Sequence, residues 1–268
     1  MSNNLLKGKK GIIFGALNED SIAWKVAERA HEEGAEFILS NAPVALRMGQ
    51  LDELAKATGS EIVSADVTST EDLENLFKIA EEKFGKLDFI LHSIGMSINV
   101  RKKIHYTEAN YDFYHKAMDI SAISFHRVMK IAKEKDIMNE WGSILALSFI
   151  AAQLAIPGYN DMSDAKALLE SIARTFGYYY GRDKKVRINT ISQSPTKTTA
   201  GGGIKGFSSL FEYAEKNSPL GNAPAVDCAN YCVMMFSDFT KYVTMQNLFH
   251  DGGFSSTGLT EDIMGDMD

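Results

Sequence analysis

Gly11-Ile12-Ile13-Phe14-Gly15-Ala16-Leu17-Asn18-Glu19-Asp20-Ser21-Ile22-Ala23 begins as a short apolar run, breaks at a glycine and resumes with helical character. Ile22, Val26, Ala27 and Ala30 recur at helical spacing, and Gly34 reads as a helix stop. A second apolar run, Glu36-Phe37-Ile38-Leu39, follows at once. Strand, turn, helix and strand in this order form a βαβ unit, whose strands are parallel and whose crossover is right-handed. The alternation continues outward from this unit. Strands are predicted at Glu61-Ile62-Val63-Ser64-Ala65 and over 87–92, 142–148, 186–192 and 246–250. Helices are predicted over 69–84, 111–135, 160–180, 207–215 and 226–236. This pattern predicts an α/β fold: one doubly wound parallel sheet of about seven strands, with helices on both faces and a single domain over residues 1–268.

Composition narrows the function classes. The 268 residues carry 28 Lys and Arg against 35 Asp and Glu, a net charge of −7, which argues against a nucleic-acid partner. Hydrophobic residues make up 45%, enough for a full core and too many for a disordered chain. No apolar run reaches the ~18–20 residues of a membrane span, and the amino end, Met1-Ser2-Asn3-Asn4-Leu5-Leu6, lacks a signal-peptide pattern. A cytoplasmic protein with no membrane contact is therefore expected. The only cysteines, Cys228 and Cys232, sit one helical turn apart with nothing nearby to complete a metal set. They read as buried thiols, and no metal site is expected.

In a doubly wound sheet, ligands bind beyond the carboxyl ends of the strands, near the point where strand order reverses. The residues that follow each strand are therefore the candidates. After the first, only Gly15 survives from a G-x-G-x-x-G dinucleotide pattern. Ser21 is a good N-cap, and its hydroxyl with the first free N–H groups, at Ile22, can hold phosphate oxygens. A plain strand-to-helix loop with a capping serine fits the same residues. After the second strand, Ser40-Asn41-Ala42-Pro43 offers no acid for ribose hydroxyls and no cation for a 2′-phosphate, the nearest being Arg47. That favours NADH over NADPH. Asp66 and Val67 are placed to contact adenine, or Asp66 caps the next helix. In His92-Ser93-Ile94-Gly95-Met96-Ser97, Gly95 either admits the nicotinamide ribose or merely turns the chain.

The segment after the fifth strand runs from Ser148 and Phe149 to Ala155-Ile156-Pro157-Gly158-Tyr159-Asn160-Asp161-Met162-Ser163-Asp164-Ala165-Lys166. A helix starting near Asn160 would project Tyr159 and Lys166, about two turns apart, from one face. Beside a nicotinamide, the ammonium binds ribose hydroxyls and favours proton donation from tyrosine to a developing oxyanion. Spacing alone, however, favours a packing tyrosine and a surface lysine.

These segments resemble the short-chain dehydrogenase/reductase superfamily and, within it, the NADH-dependent enoyl-(acyl carrier protein) reductases of bacterial fatty-acid synthesis. The ordinary superfamily motif is Tyr-x-x-x-Lys. Here Met162 stands four before Lys166, and the tyrosine lies one turn earlier, as Tyr-x6-Lys. His92-Ser93-Ile94-Gly95, Asp119-Ile120-Ser121, Gly203-Ile204-Lys205-Gly206-Phe207 and Asp251-Gly252-Gly253-Phe254 carry the resemblance, which runs from about residue 9 to 255. Two positions depart from it: Phe149 where a second Tyr is usual, and Ser194 where Gly commonly precedes Pro195.

The resemblance implies a Rossmann-like fold, a homotetramer, and reduction of a trans-2-enoyl thioester carried on acyl carrier protein. Hydride from NADH would attack the β-carbon. Tyr159 would hydrogen-bond the thioester oxygen, and Lys166 would hold the nicotinamide ribose. Ile94, Gly95, Pro195, Thr196 and Thr198 would position the nicotinamide end. Ser97, Phe149, Ile204 and Phe207 would line the substrate pocket. Residues 198–215 would form a lid hinged on Gly201-Gly202-Gly203 and Gly206, closing the face of Ile204, Phe207, Leu210 and Phe211 over the acyl chain. Two alternatives stay open at this point: a ketone or alcohol oxidoreductase of the wider superfamily, or a catalytically inactive dinucleotide-binding relative.

Overall fold

The computed structural model describes residues 2–199, 201–203 and 206–265. The first half runs β1 (Lys10–Phe14), α1 (Ile22–Glu32), β2 (Glu36–Asn41), α2 (Pro43–Met48), α3 (Leu51–Thr58), β3 (Glu61–Ser64), α4 (Thr70–Phe84) and β4 (Leu87–His92). Next come α5 (Ile98–Arg101), α6 (Tyr111–Met118), a π-helical turn (Asp119–Ile123), α7 (Ser124–Glu134), β5 (Met138–Ser148), α8 (Asp161–Lys184) and β6 (Arg187–Gln193). The chain ends with α9 (Phe207–Asn217), α10 (Ala225–Phe236), β7 (Asn247–His250) and α11 (Glu261–Gly265). The strands form one sheet in the order β3-β2-β1-β4-β5-β6-β7, and every pairing is parallel. The doubly wound Rossmann-like sheet expected from the sequence is present.

Strand side chains alternate between faces, so a strand covered on both sides is apolar throughout. Ile12 and Phe14 of β1 point into a core completed by Leu73 and Phe77 of α4, Phe125 and Val128 of α7, and Leu169 of α8. Ile13 points the other way, to Phe37, Leu91 and Leu145, beneath Trp24 and Val26 of α1 and Val233 and Phe236 of α10. Cys228 and Cys232 lie in this second core as free, buried thiols. Phe89 stacks on Phe236 at 4.6 Å, and Gly11 makes room for it, because a Cβ there would come within 2.4 Å of the Phe89 ring. Burying one such ring contributes ~1.5–3 kcal/mol.

Three local features depart from the sequence pattern. α2 and α3 occupy a stretch without an expected element; α2 starts at a proline and buries no residue, so it leaves no apolar stripe to read. The single helix predicted over 111–135 is broken by the π-helical turn, where the Ser124 hydroxyl donates to Ile120 O at 2.7 Å. β5 starts earlier than predicted, since Met138 pairs with Leu87 before the register shifts around Trp141, which has φ 65°.

Gly15, just beyond β1, has φ 95°, and a Cβ there would lie 2.0 Å from the Ser93 carbonyl oxygen. Gly15→Ala is therefore expected to lower stability by about 3 kcal/mol through backbone strain and displacement of the β4 loop. Urea unfolding checks this as a fall in midpoint at constant slope; a midpoint equal to wild type would contradict it.

Candidate active site

Strand order reverses between β1 and β4, so the loops after β1, β4 and β5 converge on one end of the sheet. His92, the last residue of β4, is fully buried; its Nε2 pairs with the Ser124 hydroxyl at 2.8 Å, and its Nδ1 has no partner among the described residues. Burial, helped by the Lys166 charge, pulls the His92 pKa down to about 3, so the ring is neutral. Lys166 enters this end from α8. It is 7% exposed, and its Nζ donates to Leu147 O in β5 at 2.7 Å. Burial lowers its pKa to about 8, against the opposing charge of Glu170 one turn further along α8. Glu170 is itself held by the Ser148 hydroxyl at 2.6 Å and the Gln153 amide at 3.2 Å. Gly95 completes this group: a Cβ built on it would sit 3.8 Å from Lys166 Nζ and 3.2 Å from Met162 Cε. The surface beside the ammonium is thus bare backbone.

Tyr159 reaches the site by a route that helical spacing does not describe. It precedes α8 and is separated from it by Asn160, whose φ of 50° turns the chain sharply before the helix begins at Asp161. The expectation that Tyr159 and Lys166 project from one continuous helical face is corrected accordingly. The phenol packs on Phe149 with ring centroids 5.0 Å apart, in a cluster with Val100, Ile150, Ala151 and Met162, bordered by Ile156 and Leu210. Its hydroxyl makes no hydrogen bond among the described residues, and burial pushes its pKa well up. The result is a protonated donor facing an apolar space. Phe149 adds shape to that space and no proton.

The residues read as cofactor contacts ring the same end of the sheet. Ser21 stands at the N-cap of α1, but its hydroxyl turns back into the loop, donating to Asn18 O at 2.6 Å and accepting from Leu17 N at 3.2 Å. Among the described residues, no side chain caps the first N–H groups of α1, including that of Ile22, as an anion site requires. At the end of β2, Asn41 donates to Ala16 O at 2.9 Å, while Arg47 is exposed on α2. Asp66 does not cap α4. Ser69 does, and Asp66 instead accepts from the Thr68 N–H and hydroxyl. The Val67 carbonyl is taken by Arg127 at 3.0 Å. Ile94 is half-buried beside Gly95. Beyond β6, Pro195 is buried, Thr196 donates to Ser194 O at 2.9 Å, and Thr198 accepts from Gly201 N at 3.0 Å. Ser194, unusual in sequence, accepts from Ala223 N at 3.1 Å and so ties β6 to the approach to α10. A cleft of about 550 Å³ lies between the β1 and β6 loops, lined by Asp20, Lys197, Thr198, Thr199, Phe207 and Phe211 among others.

Two substrate assignments change. Ser97 is buried at the start of α5, where its hydroxyl accepts from Val100 N at 3.0 Å and donates to Asp161. That side chain holds α5 to α8 and is not free for a ligand. Phe207 and Phe211 line the cleft beside Asp20, and among the described residues of the expected stripe Leu210 alone reaches the Tyr159 cluster. Ile204 lies outside the described residues. Sequence reasoning missed Glu170, Ser148, Gln153 and Ser121, whose hydroxyl pairs with the Met96 backbone from inside the π turn. The Lys166–Glu170 spacing of one helical turn was the one available clue.

Neutral His92 carries a pH signature. Its pKa is near 3 folded and 6.5 unfolded, so the unfolded state binds more protons between these values, and stability falls as pH drops through that window. His92→Gln is expected to flatten this acid limb of the urea midpoint against pH. An unchanged limb would remove His92 as its cause.

Comparison with known proteins places this geometry. Residues 15–255 match the family model described as enoyl-(acyl carrier protein) reductase. The chain is 34% identical over 260 residues to enoyl-(acyl-carrier-protein) reductase (NADH) 1 of Rhizobium meliloti, covering 96% of this chain and 94% of that one. It is 35% identical over 261 residues to the corresponding FabI of Aquifex aeolicus, covering 95% and 94%. The crystal structure of the FabI–NADH complex from Alistipes finegoldii superposes with a TM-score of 0.95 at 63% identity, covering 96% of this chain and 91% of that one. With the displaced tyrosine, the buried lysine and the parallel sheet in place, the chain belongs to the enoyl-(acyl carrier protein) reductase family.

Proposed function

We propose that this protein reduces the trans-2 double bond of an enoyl thioester on acyl carrier protein, using NADH, as the last reductive step of fatty-acid elongation. The observation that carries this reading is the Tyr159 hydroxyl, protonated, unpartnered among the described residues and set in an apolar cluster whose Met162 approaches Gly95 on the side where Gly95 faces the buried Lys166. The residues present fit a dinucleotide: uncapped N–H groups at α1, backbone alone at Gly95 beside Lys166, and no cation directly after β2 to take a 2′-phosphate. NADH, when bound, supplies the hydride that adds to the β-carbon. Tyr159 donates a hydrogen bond to the thioester oxygen as charge gathers there, and its raised pKa keeps the proton in place beforehand. Lys166 binds the ribose hydroxyls and adds a positive field. The backbone at Ile94 and Gly95 and the segment from Pro195 through Thr196 to Thr198 orient the nicotinamide end. Gly15, Ser21, Ile22, Asp66 and Val67 serve the rest of the dinucleotide. Phe149 and Leu210 bound the acyl chain.

Met162 occupies the position where a ketone or alcohol oxidoreductase of the superfamily carries its tyrosine. It is buried, its sulfur accepts from Ser121 at 3.5 Å, and a thioether carries no proton to donate. The wider assignments are a single domain with a lid at 198–215, a cytoplasmic location and a homotetramer. Among the described residues, no helix is long and apolar enough to cross a membrane. A homotetramer would have to cover exposed surface such as the groove of about 410 Å³ on the flank of α7 and α8, lined by His126, Lys133, Ile172, Phe176 and Tyr179 among others.

The test follows NADH consumption with a crotonyl thioester. Tyr159→Phe is expected to lower kcat by roughly 10- to 1000-fold with NADH affinity intact, the scale of one lost oxyanion donor. Lys166→Ala is expected to weaken NADH binding as well as turnover; unchanged cofactor affinity would remove the lysine from the ribose. In the same assay kcat/KM should be higher with NADH than with NADPH, and the reverse order would bring Arg47 to the adenosine ribose.

A further inference from the structure

Two charged residues interrupt the apolar stripe of α8. Met162, Ala165, Leu169 and Ala173 are buried at helical spacing, and Lys166 and Glu170 lie among them, 7% and 5% exposed. The two stand one turn apart on one face, the spacing at which opposite charges on a helix meet. Lys78 and Glu82 meet in this way on α4 at 3.9 Å, and Lys130 and Glu134 on α7 at 3.4 Å. Among the described residues Lys166 and Glu170 form no such contact, although burial makes a charge without a partner costlier there.

The end of β5 holds the two apart. The Lys166 ammonium donates to the Leu147 carbonyl at 2.7 Å, and the next residue, Ser148, donates its hydroxyl to Glu170 Oε1 at 2.6 Å. Glu170 Oε2 accepts from the Gln153 amide at 3.2 Å, just beyond the strand. Both carboxylate oxygens are thus engaged by other donors. An ammonium has three protons to donate; Leu147 takes one, and contact with Glu170 would take a second. With Glu170 held back, the ammonium keeps its place beside the bare backbone of Gly95. The negative charge still acts across the gap and opposes the effect of burial on Lys166.

We infer that Glu170 is a positioning residue for Lys166: a counter-charge that Ser148 and Gln153 hold out of contact, so that the ammonium persists and its remaining protons are left for the ribose of NADH. The inference rests on the reading of Lys166 as the group that binds that ribose.

The sign of the pH dependence follows. The Lys166 pKa is lowered to about 8 by burial, with Glu170 opposing the fall, so NADH affinity drops as pH rises through that value. Removing the carboxylate charge moves the drop to lower pH. Among the other titratable groups on elements packed against α8, burial leaves His92 of β4 neutral and keeps Tyr159 and Tyr114 of α6 protonated through this range. Asp161 is engaged by Ser97 and Asn99, Asp164 by Tyr106, and Asp119 of the π-helical turn by Arg127 of α7. His126 of α7 lies against Phe176, further along α8, and Arg187 stands at the opposite end of β6.

The test is fluorescence titration of the full chain with NADH from about pH 6 to about pH 9.5, across the ordinary range of a perturbed lysine. Glu170→Gln keeps an acceptor for Ser148 and loses the charge. Its alkaline midpoint is expected about one pH unit below wild type, with affinity near about pH 6 within about twofold, which also shows that the variant is folded. Ser148→Ala combined with Gln153→Ala keeps the charge and releases the carboxylate toward the ammonium. This variant is expected to bind NADH about 10-fold more weakly near about pH 6, the scale of one hydrogen bond to a charged group, with a midpoint no lower than wild type. A Glu170→Gln midpoint equal to wild type overturns the proposal, and so does an equal loss of affinity at every pH, which a merely structural role would give. Wild-type affinity in the double variant overturns it too. Lys166→Ala is the reference and should bind weakly with no alkaline limb. If it binds NADH as wild type does, the ribose assignment itself fails and the inference falls with it.

Discussion

A lysine ammonium cannot be buried at the carboxyl end of an interior strand unless something accepts its hydrogen bonds, and the rest of the site is arranged around that demand. Lys166 meets it with the Leu147 carbonyl, the last but one residue of β5, which fixes α8 against the strand end. Glu170, held by Ser148 and Gln153, adds an opposing charge from one turn further along. His92, fully buried and facing the same charge, gives up its own and rests neutral against Ser124. Where a side chain would crowd the ammonium, Gly95 has none.

The tyrosine is placed by a second set of polar contacts. Asn160 turns the chain at positive φ, Asp161 is buried as the first residue of α8, and Ser97 and Asn99 satisfy both oxygens of its carboxylate. A buried carboxylate with both oxygens bonded is costly to disturb, which keeps the turn and the phenol beside it in one arrangement. The π-helical turn serves the same region from the other side. Its extra residue aims Ser121 at the Met96 backbone, just after Gly95. Rigidity here comes from polar groups, and the apolar cluster of Phe149, Tyr159 and Met162 takes its shape from them.

The fold was legible because it rests on period and punctuation. The apolar runs of β1, β2 and β4 and the glycine stop after α1 are local properties of the chain, and a parallel sheet follows from their alternation. Elements that bury little, such as α2, escaped for the same reason: with no apolar stripe there is no period to read. The site was legible in part. Tyr159 and Lys166 were identified through resemblance, while spacing alone favoured an ordinary packing pair. Ser97 was misassigned because a serine after a strand looks the same whether it faces a ligand or caps a short helix.

The sequence by itself determined the α/β class and the succession of strands along the chain, since periodicity is carried by neighbours; Tyr159 and Lys166 stood out in it only through resemblance. Only the tertiary structure decided how that pair is oriented, that Phe207 faces the β1 loop while Leu210 faces Tyr159, and that Glu170 and His92 share the lysine's surroundings. These are contacts between residues far apart in sequence, made where strand order reverses. Burial at that junction, which no local pattern encodes, sets their charge states.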